Sequence, residues 1–159
     1  MNAIELLLSL VDEAFDRRAW HGTNLRGSIR GLDAATAAWR PAPGRRNIWE
    51  LTLHTAYWKY AVRRRLTGEK RGSFVLEGSN FFERPGPEGG SEAAWKRDVA
   101  LLVSEHRKLR RVIAAVKPAA LARTARGHKT TNLELIRGIA CHDLYHAGQI
   151  QLLKRLARG

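Results

Sequence analysis

The fold is decided by one stretch near the C-terminus, TNLELIRGIACHDLYHAGQIQLLKRL, at residues 131–156. Its apolar residues recur at the helical steps that place side chains on one face of an amphipathic α-helix, as shown by Leu135, Ile139, Ile150 and Leu153. Thr131, followed three residues later by Glu134, forms the capping-box pattern of a helix N-terminus. The stretch therefore predicts a helix that begins after Thr131, ends near Leu156 and buries one face.

Three further segments have the same periodicity. The first helix is predicted at residues 4–15, and the third starts after Ser91 and stops before Pro118. The second is predicted at residues 47–66, with Asn47 as N-cap and Glu50 as its capping-box partner. We therefore expect four long helices.

Two short helical turns are predicted between the first and second helices. One is capped by Thr23 or Asn24 and runs toward Gly31. The other is capped by Asp33 and ends at Trp39, before a Pro- and Gly-rich breaker.

A long connection, rich in glycine and proline, joins the second and third helices over residues 67–90. Such a length is uncommon within a compact domain and indicates a bundle crossover or a lid. It can reach back along a helix of about 30 Å, so the second and third helices can be parallel neighbours. With no convincing strand pair and no internal repeat, the sequence predicts an all-α four-helix bundle that forms a single domain over residues 1–159.

Composition narrows the possible functions. No apolar run approaches the roughly 20 residues of a membrane span, and the acidic N-terminal segment lacks a basic leader, so we expect a cytoplasmic protein without membrane association. The net charge of +13 is scattered along the chain, with one tight cluster at residues 63–65, which makes a nucleic-acid partner unlikely. The single cysteine, Cys141, excludes an internal disulfide and is expected to be a small buried hydrophobe.

His142 and His146 are the first candidate metal ligands. They lie four residues apart, so a helix places both side chains on the same face, one turn apart. Their helical neighbours are the apolar residues of the buried stripe. Two imidazoles in an apolar core are costly to desolvate unless they find partners, and a metal ion satisfies both in the neutral form.

His54 is the candidate third ligand. It lies three residues after Leu51 and four before Trp58, on the predicted buried stripe of the second helix. Catalytic zinc sites commonly use three protein ligands and leave one position open, and facing helices of a bundle supply such ligands. The sequence therefore predicts that His54, His142 and His146 hold one divalent ion.

Two runs of sequence resemble a known family. HDLYHAGQI at residues 142–150 and NIWELTLH at residues 47–54 are similar to the signatures of the DinB/YfiT-like metalloenzymes, which form the DinB superfamily. WHG at residues 20–22 and RPAPG at residues 40–44 also resemble one branch of that family. The resemblance covers most of the chain.

The resemblance implies a four-helix bundle, often a homodimer, with a zinc or nickel ion held by three histidines at the positions of His54, His142 and His146. It also implies metal-assisted nucleophilic chemistry, because the family includes thiol transferases, a thiol-dependent isomerase and hydrolase-type proteins. Expected partners are therefore a low-molecular-weight thiol cosubstrate and a small electrophilic substrate.

Other polar residues near these histidines have two possible roles each. Gln149 follows His146 by three residues and is predicted either to hydrogen-bond a ligand histidine, which fixes its tautomer, or simply to pack. His106 lies on the apolar stripe of the third helix and is expected to be a core histidine, with an approach to the metal as the alternative. Asp143 and Tyr145 flank the ligands on other faces and are expected to be structural.

Three classes of function remain open. The favoured one is a metal-dependent enzyme, with thiol transfer preferred over hydrolysis because Glu50 and Glu134 are assigned to caps and leave no evident general base. The alternative is a non-catalytic, metal-stabilised association module, whose coordination would be closed by a fourth protein ligand such as His106. A basic nucleic-acid-binding protein is the lesser alternative.

Overall fold

Six α-helices build the part of the chain that the computed structural model describes, which comprises residues 1–85, 90–124 and 128–159. They are α1 (Ala3–Phe15), α2 (Leu25–Ile29), α3 (Ala34–Ala38), α4 (Ile48–Thr67), α5 (Glu92–Ala114) and α6 (Asn132–Leu156). A short 3-10 helix occupies Pro118–Ala120. No β-strand is present in the described ranges apart from an isolated bridge between Thr124 and Thr131. The predicted all-α fold is confirmed, and residues 86–89 of the predicted connection lie outside the described residues.

Most of the helix starts are those that the caps predict. The side chains of Asn47 and Ser91 accept hydrogen bonds from the backbone three residues on, which satisfies amides that have no partner within the helix. Thr131 and Glu134 form the predicted reciprocal capping box at the start of α6. Asn24 and Asp33 cap α2 and α3 in the same way.

The predicted second and third helices are α4 and α5, and they pack side by side. Near their N-termini, the rings of Trp49 and Trp95 meet with centroids 5.4 Å apart. Near the other end of α4, Arg63 Nε lies 3.8 Å from Glu105 Oε2. The two helices are therefore parallel, as the length of the connection allows.

The helix that carries two of the histidines, α6, runs antiparallel to α4. This direction follows from two contacts, His54 with His146 and Lys59 with Asp143. Together with α1, these helices enclose two groups of buried apolar residues, one around Trp49, Leu102 and Ile150 and the other around Leu109, Ile113 and Ile136. Within the described residues, no helix combines the length and the apolar character that crossing a lipid bilayer requires.

The predicted capping role of Glu50 is wrong. Asn47 caps α4 alone, and the Glu50 carboxylate, buried to 1% exposure, instead accepts two hydrogen bonds from the Arg40 guanidinium at 2.6 and 3.0 Å. It also accepts one from the backbone of Arg84 at 3.3 Å. A buried carboxylate is stabilised far more by a bidentate guanidinium than by a single helix-end amide, so the ion pair prevails.

The expectation that Cys141 is buried is also wrong. Cys141 is exposed, on the same outward face of α6 as the exposed Tyr145 and Leu152. Ile139 lies two turns of α6 before His146, on the opposite, buried side of the helix. The apolar residues before and after Cys141 belong to that inner face, so local composition alone misplaced the cysteine.

Candidate metal centre

Antiparallel packing of α4 against α6 brings the three candidate histidines together. His142 Nε2 lies 3.1 Å from His54 Nε2 and 3.1 Å from His146 Nε2. All three ligand atoms lie within 4.8 Å of one another, and the group could hold a metal ion. The structure thus places every predicted ligand residue in one cluster, while their coordination of an ion stays a prediction.

The outer nitrogens of two of these rings are fixed by hydrogen bonds. His54 Nδ1 donates to the carbonyl oxygen of Asn80 at 2.9 Å, and His146 Nδ1 donates to Gln149 Oε1 at 2.7 Å. Both partners are oxygen acceptors, so each Nδ1 carries the proton and each neutral ring directs an Nε2 lone pair into the cluster. Of the two roles left open for Gln149, the structure shows the hydrogen bond to a candidate ligand histidine.

Burial keeps the three rings neutral. It lowers the pKa of His54 to about 4 and that of His142 to about 3, and it also lowers the pKa of His146. Neutral imidazoles are the form that binds metal ions. Near neutral pH the cluster therefore presents unprotonated donors without the cost of removing protons.

Two of the three separations between the donor nitrogens fit a divalent ion. Metal–nitrogen bonds of about 2.0–2.1 Å place two imidazole nitrogens about 2.9 Å apart at a right angle and about 3.3 Å apart at the tetrahedral angle. The observed separations of 3.1 Å from His142 to each of the other two lie between these values. His54 Nε2 and His146 Nε2 have no proton to donate and both direct a lone pair at His142 Nε2, so a shared cation would satisfy all three nitrogens.

Asn80, in the long connection, is a site residue that the sequence did not reveal. Its carbonyl holds His54, and its side chain accepts a hydrogen bond from Trp58 Nε1 at 2.9 Å. Its backbone has a φ of 68°, in the left-handed region that asparagine tolerates better than most residues. A Ser-Asn pair after Gly78 is the one signal that could have suggested a turn here, and nothing local indicates which histidine it reaches.

The cluster faces a cavity of about 860 Å³. Phe81 forms part of its wall and stacks on the His54 ring with centroids 4.0 Å apart. The described lining residues are Pro41, Ala42, Arg45, Arg46, Leu51, His54, Trp58, Asn80, Phe81, His142, Tyr145, His146, Gln149, Leu152 and Leu153. The volume lies within the range of small-molecule sites, about 300–1,000 Å³.

His106 is not part of the cluster. Its ring stacks on Phe15 with centroids 3.6 Å apart, and burial lowers its pKa to about 2. Among the described residues, the group that could hold a metal contains His54, His142 and His146 and no fourth protein ligand. The core role expected for His106 agrees with these contacts.

A buried ion pair lies next to the cluster along the two helices. Lys59 and Asp143 are both fully buried and pair with each other, and Asp143 directly follows His142 in α6. Burial lowers the pKa of Lys59 and raises that of Asp143. The pair ties α4 to α6 beside the histidines, after His54 in α4 and between His142 and His146 in α6, which agrees with the structural role expected for Asp143.

Comparison with known proteins identifies the family. The family model of the DinB superfamily matches residues 7–150, and the chain belongs to that superfamily. A solved structure described as a conserved protein from Enterococcus faecalis is similar over 100% of this chain and 99% of its own, with a TM-score of 0.73 and 16% sequence identity. At that identity the likeness shows the fold alone. No curated protein was found to match the chain.

Proposed function

We propose that this protein is a metal-dependent enzyme that uses one divalent ion, zinc or nickel, held by His54, His142 and His146. The reaction we favour is transfer between a low-molecular-weight thiol and a small electrophilic substrate, with hydrolysis as the second choice. The observation that carries the proposal is the convergence of three neutral Nε2 atoms on the wall of a cavity large enough for a substrate. Membership of the DinB superfamily supports the same class of protein.

A divalent ion at this site would lower the pKa of a thiol or a water molecule that reaches it and so supply a nucleophile near neutral pH. The chain's own residues prepare the site for this chemistry. Asn80 and Gln149 orient two of the imidazoles, and Phe81 and Trp58 cover the cluster with aromatic surface. Such a wall limits the access of bulk water to the reacting groups.

Thiol transfer is favoured over hydrolysis because the described lining of the cavity contains no carboxylate. Hydrolysis commonly needs a general base that takes a proton from water, and Glu50, the nearest acidic residue in sequence to His54, is occupied by Arg40. A thiol that ionises on binding needs no such base.

A homodimer belongs to the same proposal. Exposed leucines on α1 and α6 support it, because large apolar side chains on the outer faces of two packed helices are typical of a self-association surface. They are Leu6, Leu10, Leu133, Leu152 and Leu156. A non-catalytic association module is the alternative function, and a cytoplasmic location stays a prediction.

Two measurements test the proposal. Metal analysis of protein purified without an affinity tag should find about one divalent ion per chain, and the His146→Ala variant should lose it while its circular dichroism stays helical. The metal-loaded protein is then screened with several biological thiols and electrophiles for thiol consumption, with His54→Ala as the matched control. Stoichiometric metal in His146→Ala would contradict the ligand set, and equal rates for the wild type and His54→Ala would contradict the transferase reaction.

A further inference from the structure

The only formal charges in the described lining of the cavity are positive. Arg45 and Arg46 lie at its solvent-exposed side, just after the Pro- and Gly-containing turn at residues 41–44. The histidines on the buried side are neutral. The cavity therefore has one cationic end and one end that offers donors to a metal.

Arg46 lies close to the histidine cluster. Its guanidinium carbon is 4.3 Å from the centroid of the Phe81 ring, which itself stacks on His54. Glu50 lies 3.6 Å from Arg46, but its carboxylate is already bound by Arg40. One carboxylate shared by two guanidinium groups leaves a net positive charge at this side of the cavity.

Arg45 has no carboxylate partner among the described residues. Its backbone is nevertheless fixed, because its N–H donates to the carbonyl of Ala42 at 3.1 Å and its own carbonyl accepts from the Arg40 guanidinium at 2.7 Å. The anchored turn thus presents a guanidinium that pairs with no carboxylate of the described residues. A guanidinium binds a carboxylate through two parallel hydrogen bonds, a match that water and simple ions do not reproduce.

The surface between the arginines and the histidines is largely apolar. Leu51, Leu152 and Leu153 line it. The polar side chains of Asn80 and Gln149 are already engaged by Trp58 and His146. A ligand complementary to this cavity has an apolar body and a single anionic group at one end.

We propose that the cavity binds an organic anion whose carboxylate lies on Arg45 and Arg46 and whose apolar body extends toward His54, His142 and His146. This inference rests on the proposed function, since it assigns a substrate class to the same cavity. The carboxylate belongs either to the thiol or to the electrophile, and competition distinguishes the two.

The test compares 4-phenylbutyrate with its uncharged amide by isothermal titration calorimetry. Both are titrated into metal-free and zinc-loaded protein, and metal content is measured on the same samples. We expect the acid to bind at least about tenfold more tightly than the amide in both forms, and Arg45→Gln to remove most of that preference while amide binding stays unchanged. Arg97→Gln, an exposed arginine of α5 outside the cavity, is the control and should bind both compounds as the wild type does.

Each result supports or overturns the assignment. Equal affinity for acid and amide, or no binding of either at millimolar concentration, overturns it. Tighter binding of the acid than of the amide only in the zinc-loaded protein would place the carboxylate on the metal and overturns the assignment. The same preference surviving in Arg45→Gln would place the carboxylate away from Arg45 and also overturns it. If the wild type holds no metal but the preference is present, the proposed function fails while the anion site stands.

Inhibition kinetics then identify which reactant carries the carboxylate. In the thiol-consumption assay, 4-phenylbutyrate that competes with the thiol identifies the thiol as the anionic partner. Competition with the electrophile identifies the electrophile instead. Inhibition that is competitive with neither reactant contradicts the proposed position of the anion in the cavity.

Discussion

The bundle buries histidines in two different environments. His106 on α5 stacks on Phe15, and its Nδ1 has no hydrogen-bond partner among the described residues. His54, His142 and His146 direct their Nε2 atoms at one another beside a cavity. Burial lowers the pKa in both environments, so a low pKa does not distinguish a candidate ligand from a core histidine. The distinction is whether a facing helix supplies further donors.

The first prediction is that the two environments differ completely in metal binding. His142→Ala removes the central donor, which lies 3.1 Å from both other Nε2 atoms, so the variant should lose its stoichiometric metal. His106→Leu should keep about one ion per chain. Atomic emission spectrometry on dialysed protein measures both. Loss of metal from a folded His106→Leu variant would contradict the assignment of His106 to the core.

The second prediction concerns the ion pair that lies beside both environments. Lys59→Met leaves the fully buried Asp143 without its partner, so the free energy of unfolding should fall by about 3–5 kcal/mol in urea denaturation. Replacing both residues, as Lys59→Met with Asp143→Leu, should recover most of the loss because no buried charge remains.

The control for that experiment is the pair of the exposed Arg17 with Asp12, a buried carboxylate that also accepts two hydrogen bonds from Arg110 and keeps them when Arg17 is replaced. Its nitrogen and oxygen are 3.6 Å apart and Arg17 is 68% exposed, so Arg17→Met should change the free energy of unfolding by no more than about 1 kcal/mol. A Lys59→Met effect as small as this control would show that the buried pair does not stabilise the contact between α4 and α6.

The third prediction uses the titration of His106. Its pKa is about 2 when folded and 6.5 in its ordinary state, so the unfolded chain binds the proton first as pH falls. Its contribution to stability is therefore complete above about pH 6.5 and is lost progressively as pH falls toward 2. Between pH 6 and pH 4, metal-free wild type should lose about 2.5 kcal/mol more than His106→Leu. Parallel pH profiles for the two proteins, measured by urea denaturation, would contradict the buried neutral state of His106.

The fourth and smallest effect concerns the hydrogen bond to His146. Gln149→Leu removes the acceptor that holds the His146 tautomer and should weaken zinc binding by about tenfold, measured by competition with a chromogenic chelator. Gln149→Glu keeps an acceptor and should restore most of the affinity. Gln151→Leu, on the same helix but outside the cavity, should leave the affinity unchanged. An unchanged affinity in Gln149→Leu would mean that packing alone orients His146.

The sequence predicted the roles of residues whose interaction partners lie within a few positions along the chain. Asn47, Ser91 and Thr131 cap helices through backbone amides three residues away, and a single sequence contains both partners. The ligand spacing of His142 and His146 is local in the same sense. The role of Glu50 was predicted wrongly because its partner, Arg40, lies ten residues away across a turn. The Arg40 guanidinium binds the carboxylate that the capping box would have used.

The hydrogen bond between Asn80 and His54 is a contact that no local sequence pattern predicts. It lies 26 residues from His54, and its carbonyl reaches the ring only because the long connection folds back over α4. Cys141 is a different case, because it lies two residues after the buried Ile139, about 200° around the helix, and the periodicity that predicts the buried face already places it outside.

By itself, the sequence determined that four long amphipathic helices form and that three histidines lie on their inner faces, because helical periodicity and caps are set by near neighbours. Only the tertiary structure decided that His106 stays apart from the other three, that Asn80 and Gln149 fix two imidazoles, and that the two arginines Arg45 and Arg46 lie at the exposed side of the same cavity. The physical reason is that hydrogen bonds, ion pairs and cavities join residues from different elements, and their partners are chosen by how the helices pack.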